Sequence, residues 1–268
     1  MKARVLSALV LAPVMIALAI LGGLPYLVGI VVMCGVGVWE ATGLFADFGE
    51  ASTDPLWRYL AVAASVIVLA GVQLGFDHRN GTQVITALVL VASLGMLLSG
   101  GPPARRFLAW AMAAASILYV VGLGSHFLLL RATRQGLNWT ILACVVTWST
   151  DTGAFFVGRR FGHTNFFAAI SAKKTAEGAA GGLAAGIVAA SIVAAVAGLH
   201  VPWTVAPLIG LSVSIAAQGG DLVESLLKRE AGVKDSGTII PGHGGVLDRI
   251  DSLLFAVTLT FYWRLLFP

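Results

Sequence analysis

Residues Ser225–Asp251 read SLLKREAGVKDSGTIIPGHGGVLDRID. Extended back to Asp221, the stretch holds ten of the chain's thirty charged residues in 31 positions: Asp221, Glu224, Lys228, Arg229, Glu230, Lys234, Asp235, Asp248, Arg249 and Asp251. Nearly everything on either side is apolar. A polar island in such a chain is expensive to bury, so it must lie in water or line a site. The surroundings decide the fold class. Of 268 residues, 58% are hydrophobic and 11% charged, with a mean hydropathy of +0.90, whereas a soluble domain carries about 25% charged residues. This composition predicts an all-α polytopic integral membrane protein, and the polar island reads as the lining of its active-site cavity.

The residue types in the island point to a chemistry. Asp248 and Asp251 are three apart, just before the apolar run Leu253–Leu266, so a helix there places both on one face of its first turn. Asp221 and Glu224 repeat the spacing after another apolar run. Carboxylates from two helix ends, without a Cys or His cluster, suit a hard cation such as Mg²⁺. Between them lie Lys228, Arg229, Lys234, His243 and Arg249, with Gly237, Gly242, Gly244 and Gly245. Glycines let backbone N–H groups approach an anion, and the cations neutralise it. The combination suggests a phosphate substrate. The alternative, a cytoplasmic loop with ordinary positive-inside charges, leaves the paired acids and His243-Gly244-Gly245 without a role.

Nine apolar runs are expected to be transmembrane helices: 5–21, 24–45, 59–75, 83–99, 107–130, 139–157, 179–198, 203–220 and 252–267. Each is near the ~20 residues needed to cross ~30 Å of hydrocarbon. The first, with Ala17-Leu18-Ala19, also resembles a signal peptide, but further spans follow at once. No long linker divides the chain; residues 1–130 carry little readable chemistry and 131–268 hold the catalytic region and its loops, within a single membrane domain. Alternate loops collect thirteen Lys and Arg on one side and four on the other. The richer side, holding 159–178 and 221–251, is therefore expected in the cytoplasm. No basic run with interleaved aromatics marks a nucleic-acid partner. Cys34 and Cys144 have neither metal nor disulfide spacing and read as packing residues.

A second constellation precedes the island. Asp151-Thr152-Gly153 lies in the sixth span, and an acid within a span is a functional candidate that can also simply pair with a nearby Arg. Ser171-Ala172-Lys173-Lys174-Thr175-Ala176-Glu177-Gly178 follows. Gly178, Gly182 and Gly186 repeat every four residues, which permits close helix packing. Glu40, near the cytoplasmic end of the second span, reads equally as a helix-end charge or as a group supporting the site. His126 and Gln218 read as packing or inter-helix hydrogen-bonding residues, and Trp57, Trp139 and Trp203 as interfacial markers of span ends.

These motifs resemble the signature of phosphatidate cytidylyltransferases, also called CDP-diacylglycerol synthases. Ser225, Lys228, Arg229, Lys234, Asp235 and Gly237, then Pro241, His243, Gly244, Gly245, Asp248, Arg249 and Asp251, meet the pattern. The upstream segments are similar to its D-[ST]-G-A-[FY] and S-P-K-K-T-W-E-G blocks, with Ala172 in place of Pro and Ala176 in place of Trp.

The resemblance implies cytidylyl transfer from CTP to phosphatidate at the bacterial-type inner, or cytoplasmic, cell membrane, by a multi-pass homodimer embedded in the lipid bilayer. It implies that Asp221, Asp248 and Asp251 bind Mg²⁺, with a second, monovalent cation such as K⁺ nearby. Catalytic roles are implied for Asp221, Lys228, Arg229, Lys234, Asp235, His243, Asp248, Arg249 and Asp251. Asp151, Ser171, Lys173, Lys174, Thr175, Glu177, Ser225, Gly244 and Gly245 would contact substrates. Another CTP-using membrane enzyme would present much the same site. An anion transporter predicts charges near the bilayer midplane and paired broken helices, whereas here they cluster at one surface.

Overall fold

The computed structural model of the protein describes residues 2–46, 55–75, 78–98, 100–165, 167, 168, 170, 171, 173–240 and 244–267. Among them every regular element is helical; pairing of extended backbone is confined to two isolated bridges, Asn165 with Thr175 and Ile240 with Gly244. The helices are α1 (Lys2–Leu21), α2 (Gly23–Ala46), α3 (Pro55–Gln73), α4 (His78–Leu98), α5 (Pro103–Ser116), a π-helical segment (Ile117–Gly122), α6 (Leu123–Ala132), α7 (Gly136–Phe161), α8 (Ala176–Val196), α9 (Ala206–Glu230) and α10 (Leu247–Leu266). Each expected span falls on a helix, the fifth on the run α5–π–α6. Among the described residues, six helical stretches are long and apolar enough to cross a membrane: Gly23–Leu44, Leu56–Gln73, Pro103–Ala132, Gly136–Phe161, Ala176–Val196 and Ala206–Glu230. Ala12–Leu21 and Ile85–Leu97 are shorter apolar stretches.

The chain divides into two compact units, Met1–Leu128 with Leu227–Asp248, and Leu129–Leu226 with Arg249–Pro268. In the first unit α2 is the packing centre. Tyr26, Ile30, Met33, Cys34, Val38 and Ala41 form a buried stripe at helical spacing, and α2 packs on α1, α3, α5 and the π segment. Arg58 closes the end of the α2–α3 pair. Its Nη2 donates to the Trp39 carbonyl at 2.7 Å, and its guanidinium lies 4.0 Å from the centre of the Trp39 ring, a cation–π arrangement.

In the second unit α7 and α8 pack at backbone distance. A Cβ on Gly182 would stand 2.8 Å from the Thr150 carbonyl, and one on Gly186 would stand 2.7 Å from Thr150 Oγ1 and collide with Ser214 Oγ. The four-residue glycine repeat therefore does what its spacing predicts. Polar contacts join both helices to α9: Thr150 Oγ1 donates to Ser214 Oγ at 2.8 Å and Gln218 Nε2 to the Ala179 carbonyl at 3.2 Å. In the first unit, His126 Nδ1 lies 3.0 Å from the Gly122 carbonyl of the preceding π-helical turn. Of the three tryptophans expected at the interface, Trp203 is exposed while Trp57 and Trp139 are buried. Both stand at helix starts, but the indole area goes into core packing. Cys34 and Cys144 are buried free thiols.

Candidate active site

The site residues of the first unit gather where α9 ends and α10 begins. α9 stops through a glycine turn. Gly232 has φ +69°, its N–H bonds the Arg229 carbonyl at 3.1 Å, and the Val233 N–H reaches back to Lys228 O at 2.9 Å. That is the pattern which satisfies the last carbonyls of a helix. The chain then returns to α10, and the carboxylate of Asp248 is the hub of the return. Its Oδ1 pairs with Lys228 Nζ at 2.5 Å. Its Oδ2 accepts the Ser236 N–H at 2.8 Å, the Ser236 hydroxyl at 2.9 Å and the Gly245 N–H at 2.8 Å. Asp248 is 8% exposed. Burial pushes its carboxyl up, but the Lys228 pair and the donors from Gly245 and Ser236 outweigh that and hold it below the usual aspartate value.

The glycines of the motif serve this internal network. Gly244 has φ +82°, and a Cβ there would lie 2.6 Å from Asp248 Oδ2 and 3.0 Å from Asp235 Cβ. The Gly245 N–H, expected to face substrate, is donated to Asp248. Lys234, Asp235 and Arg229 are exposed around the hub. His243, Pro241 and Gly242 lie outside the described residues, as does Ala172.

The second unit holds another set of charges. Lys174 Nζ forms a 2.6 Å ion pair with Asp221 Oδ2, and Ser225 Oγ, one turn along α9, approaches Asp221 Oδ1 at 3.4 Å. Asp151 on α7 lies within electrostatic range of Asp251, Asp221, Lys174 and Arg249. Asp251 is drawn beside α9 because Gly220 leaves no space between the helices: a Cβ there would meet the Asp251 carbonyl at 2.6 Å. The upstream block, some fifty residues away in sequence, thus supplies a cation to the acids of the island. Glu224, which spacing paired with Asp221, is fully buried instead.

Within the upstream block the residues divide. Thr175 caps α8, its hydroxyl accepting the Gly178 N–H at 3.1 Å. Glu177 accepts the N–H groups of His163 and Thr164 at 3.2 Å, which fixes the chain leaving α7. Ser171 and Lys174 stand in one turn, joined by a 3.3 Å backbone bond, and Lys173 is exposed. Two residues with no substrate or metal role expected from sequence carry much of the geometry. Ser236 binds Asp248 twice, and Glu40, 3% exposed, accepts the N–H groups of Val246 at 3.1 Å and Leu247 at 2.8 Å. The signal for Glu40 was an acid near the end of an apolar span, which reads equally as a helix-end charge or as support for the site.

A helical membrane protein that sets carboxylates among ammonium and guanidinium groups, beside a glycine-flanked helix start, has the equipment of a phosphate-handling enzyme. The chain belongs to the cytidylyltransferase family, whose model matches residues 2–267. It is 35% identical over 277 residues to the phosphatidate cytidylyltransferase of Bacillus subtilis strain 168, covering 100% of this chain and 98% of that protein. It is 31% identical to the protein of the same name from Staphylococcus epidermidis strain RP62A, covering 97% of each, and 29% identical to that of Staphylococcus aureus strain COL, again covering 97% of each.

Proposed function

We propose that the protein transfers a cytidylyl group from CTP to phosphatidate, releasing pyrophosphate and leaving CDP-diacylglycerol for phospholipid synthesis. Family membership over residues 2–267 supports the reaction class, and the names of full-length relatives support the substrates. The observation that carries the reading at the site is the Lys174–Asp221 pair beside Asp151 and Asp251. It joins the two sequence blocks into one set of charges.

In this reaction a phosphate oxygen of phosphatidate attacks the α-phosphorus of CTP. A new P–O bond forms as the bond to the bridging oxygen of the β-phosphate breaks, and pyrophosphate takes that electron pair. The attacking oxygen is already anionic at neutral pH, so a strong base is not needed; catalysis lies in positioning and charge stabilisation. Lys174, Lys228, Arg229 and Lys234 would bind the phosphates and reduce repulsion between the two anions, Lys173, exposed, would draw phosphatidate toward the site from the membrane surface, and Arg249 would orient the neighbouring acids.

The proposed ligands of a divalent cation are Asp221, Asp248 and Asp251. Their all-oxygen donor chemistry fits Mg²⁺, which would stabilise charge on the leaving pyrophosphate. Among the described residues no three ligating side chains converge on one point. A monovalent cation nearby, a homodimer, nine spans and a cytoplasm-facing cavity complete the proposal; the thirteen-to-four asymmetry of Lys and Arg supports the orientation. The test is purified protein with labelled CTP and phosphatidate, with and without Mg²⁺: labelled lipid forms only when both substrates and the metal are present. No labelled lipid from folded protein would overturn the reading.

A further inference from the structure

We infer that Glu40 is a positioning residue for the reaction proposed above, a clamp that sets the start of α10 and through it the carboxylate of Asp248. Glu40 is buried in α2, where an acid is costly. The cost is offset at one place, the start of α10. Oε1 accepts the Val246 N–H at 3.1 Å and Oε2 the Leu247 N–H at 2.8 Å, two donors that the helix itself cannot satisfy. The negative charge also faces the positive end of the α10 dipole. The partners are 206 and 207 residues away in sequence, so this contact is tertiary and not a local cap.

The loop is moulded to this carboxylate from both flanks. A Cβ on Gly237 would collide with Glu40 Oε1 and lie 2.9 Å from Cδ; one on Gly245 would collide with Oε2 and lie 2.6 Å from Cδ. Ser236 Oγ stands between two acids, 3.3 Å from Glu40 Oε2 and 2.9 Å from Asp248 Oδ2. Its single proton goes to one of them at a time, and the shorter distance assigns it to Asp248. Asp248 follows Leu247 directly, so fixing the Leu247 N–H fixes where the Asp248 side chain begins. The two glycines are thus spaced around Glu40, a use separate from phosphate binding.

A positioning role predicts loss of turnover without loss of binding. Glu40→Gln keeps the shape but turns an NH₂ group toward one of the two N–H donors. In detergent its kcat falls tenfold or more, while KM for CTP and for phosphatidate stays within about twofold of wild type. Glu40→Asp, which keeps the charge on a shorter arm, loses less. Gly245→Ala loses most of its activity alone, and Glu40→Asp combined with Gly245→Ala recovers at least fivefold over Gly245→Ala, because the shorter acid withdraws from the new methyl group. Hydrogen exchange gives a readout independent of activity. Peptides covering 244–250 exchange at least tenfold faster in Glu40→Gln, and α7 peptides are unchanged. A kcat within twofold of wild type, unchanged exchange at 244–250, or a double variant no better than Gly245→Ala would each overturn the inference. So would a loss of activity that only tracks the loss of folded protein by size exclusion. Wild type measured alongside separates the two claims: failure to make CDP-diacylglycerol sinks the proposed reaction, while exchange at 244–250 still decides whether Glu40 holds this segment.

Discussion

Lys228 reaches Asp248 across twenty residues of chain, Nζ to Oδ1 at 2.5 Å, and ties the end of α9 to the start of α10. Both groups are largely removed from solvent. Removing the ammonium leaves the carboxylate, among the described residues, with its Ser236 and Gly245 donors. Lys228→Met is expected to lose about 2 kcal/mol of stability, the value of a charged hydrogen bond, together with most activity. Thermal unfolding in detergent measures the first, and labelled-lipid formation the second.

The same pair sets a pH dependence. The folded-state pKa of Asp248 is below the ordinary value, so its contribution is complete above about pH 3.9 and is lost as pH falls through the lower folded value. In Lys228→Met burial remains but the main counterweight is gone, which raises the folded pKa. Acid destabilisation of the variant should therefore begin at higher pH than in wild type. Melting temperatures from pH 3 to 7 test this; superimposable profiles would remove Lys228 as the cause.

Close packing of α7 and α8 gives a prediction independent of chemistry. Gly186→Ala places a methyl group against Ser214 and Thr150 and should cost about 1–3 kcal/mol, as overpacked cores do. Gly219→Ala meets nothing within 4 Å and should fold as well as wild type. Equal melting temperatures for the two variants would mean that the helices have room to separate.

What was legible in the sequence was local or periodic. Apolar runs of the right length became helices, and the glycine repeat at 178, 182 and 186 became a close contact. Lys174 was legible as a cation for substrate phosphate but not as the partner of Asp221 that the structure shows. The hidden part is tertiary. Glu40 has no motif, and its partners lie some two hundred residues away. Ser236 reads as a spacer in K-D-x-G yet supplies two donors to Asp248. Thr175 and Glu177, expected to contact substrate, are engaged by backbone N–H groups. Sequence shows which polar groups are present but not which of them the backbone has already used.

The metal assignment predicts that Asp251→Asn abolishes turnover while the protein still inserts and folds. An amide keeps the shape and removes the charge that would hold a cation. Wild-type-like activity at matched protein level would remove Asp251 from the ligand set. Chelation of divalent ions should abolish wild-type activity and Mg²⁺ restore it.

Topology can be tested with single cysteines in a background lacking Cys34 and Cys144. Lys234 is the better cytoplasmic probe, being exposed, since Ser236 is tied to Asp248. Cysteines at Asn80 and Lys234 should label from opposite faces of the membrane. Labelling of both from one face contradicts the nine-span arrangement.

The upstream lysines, alike in sequence, are separated by the structure. Lys174 is half-buried and paired with Asp221 at 2.6 Å, within electrostatic range of Asp151. Lys173 is exposed. A lysine acting only through attraction to anionic lipid contributes about 1 kcal/mol, and that contribution is screened by salt. Its loss would raise the apparent KM for phosphatidate and shrink in neutral micelles. A lysine that stabilises the reacting phosphates lowers kcat itself, and tenfold corresponds to about 1.4 kcal/mol of transition-state stabilisation. Lys174→Gln should therefore lose tenfold or more in kcat, in micelles and at saturating substrate. Lys173→Gln should stay within about twofold in kcat and show its effect in KM on anionic membranes. If Lys174→Gln also keeps kcat within twofold, the Lys174–Asp221 pair is a structural tether, and the upstream block holds the loop in place without acting on phosphate.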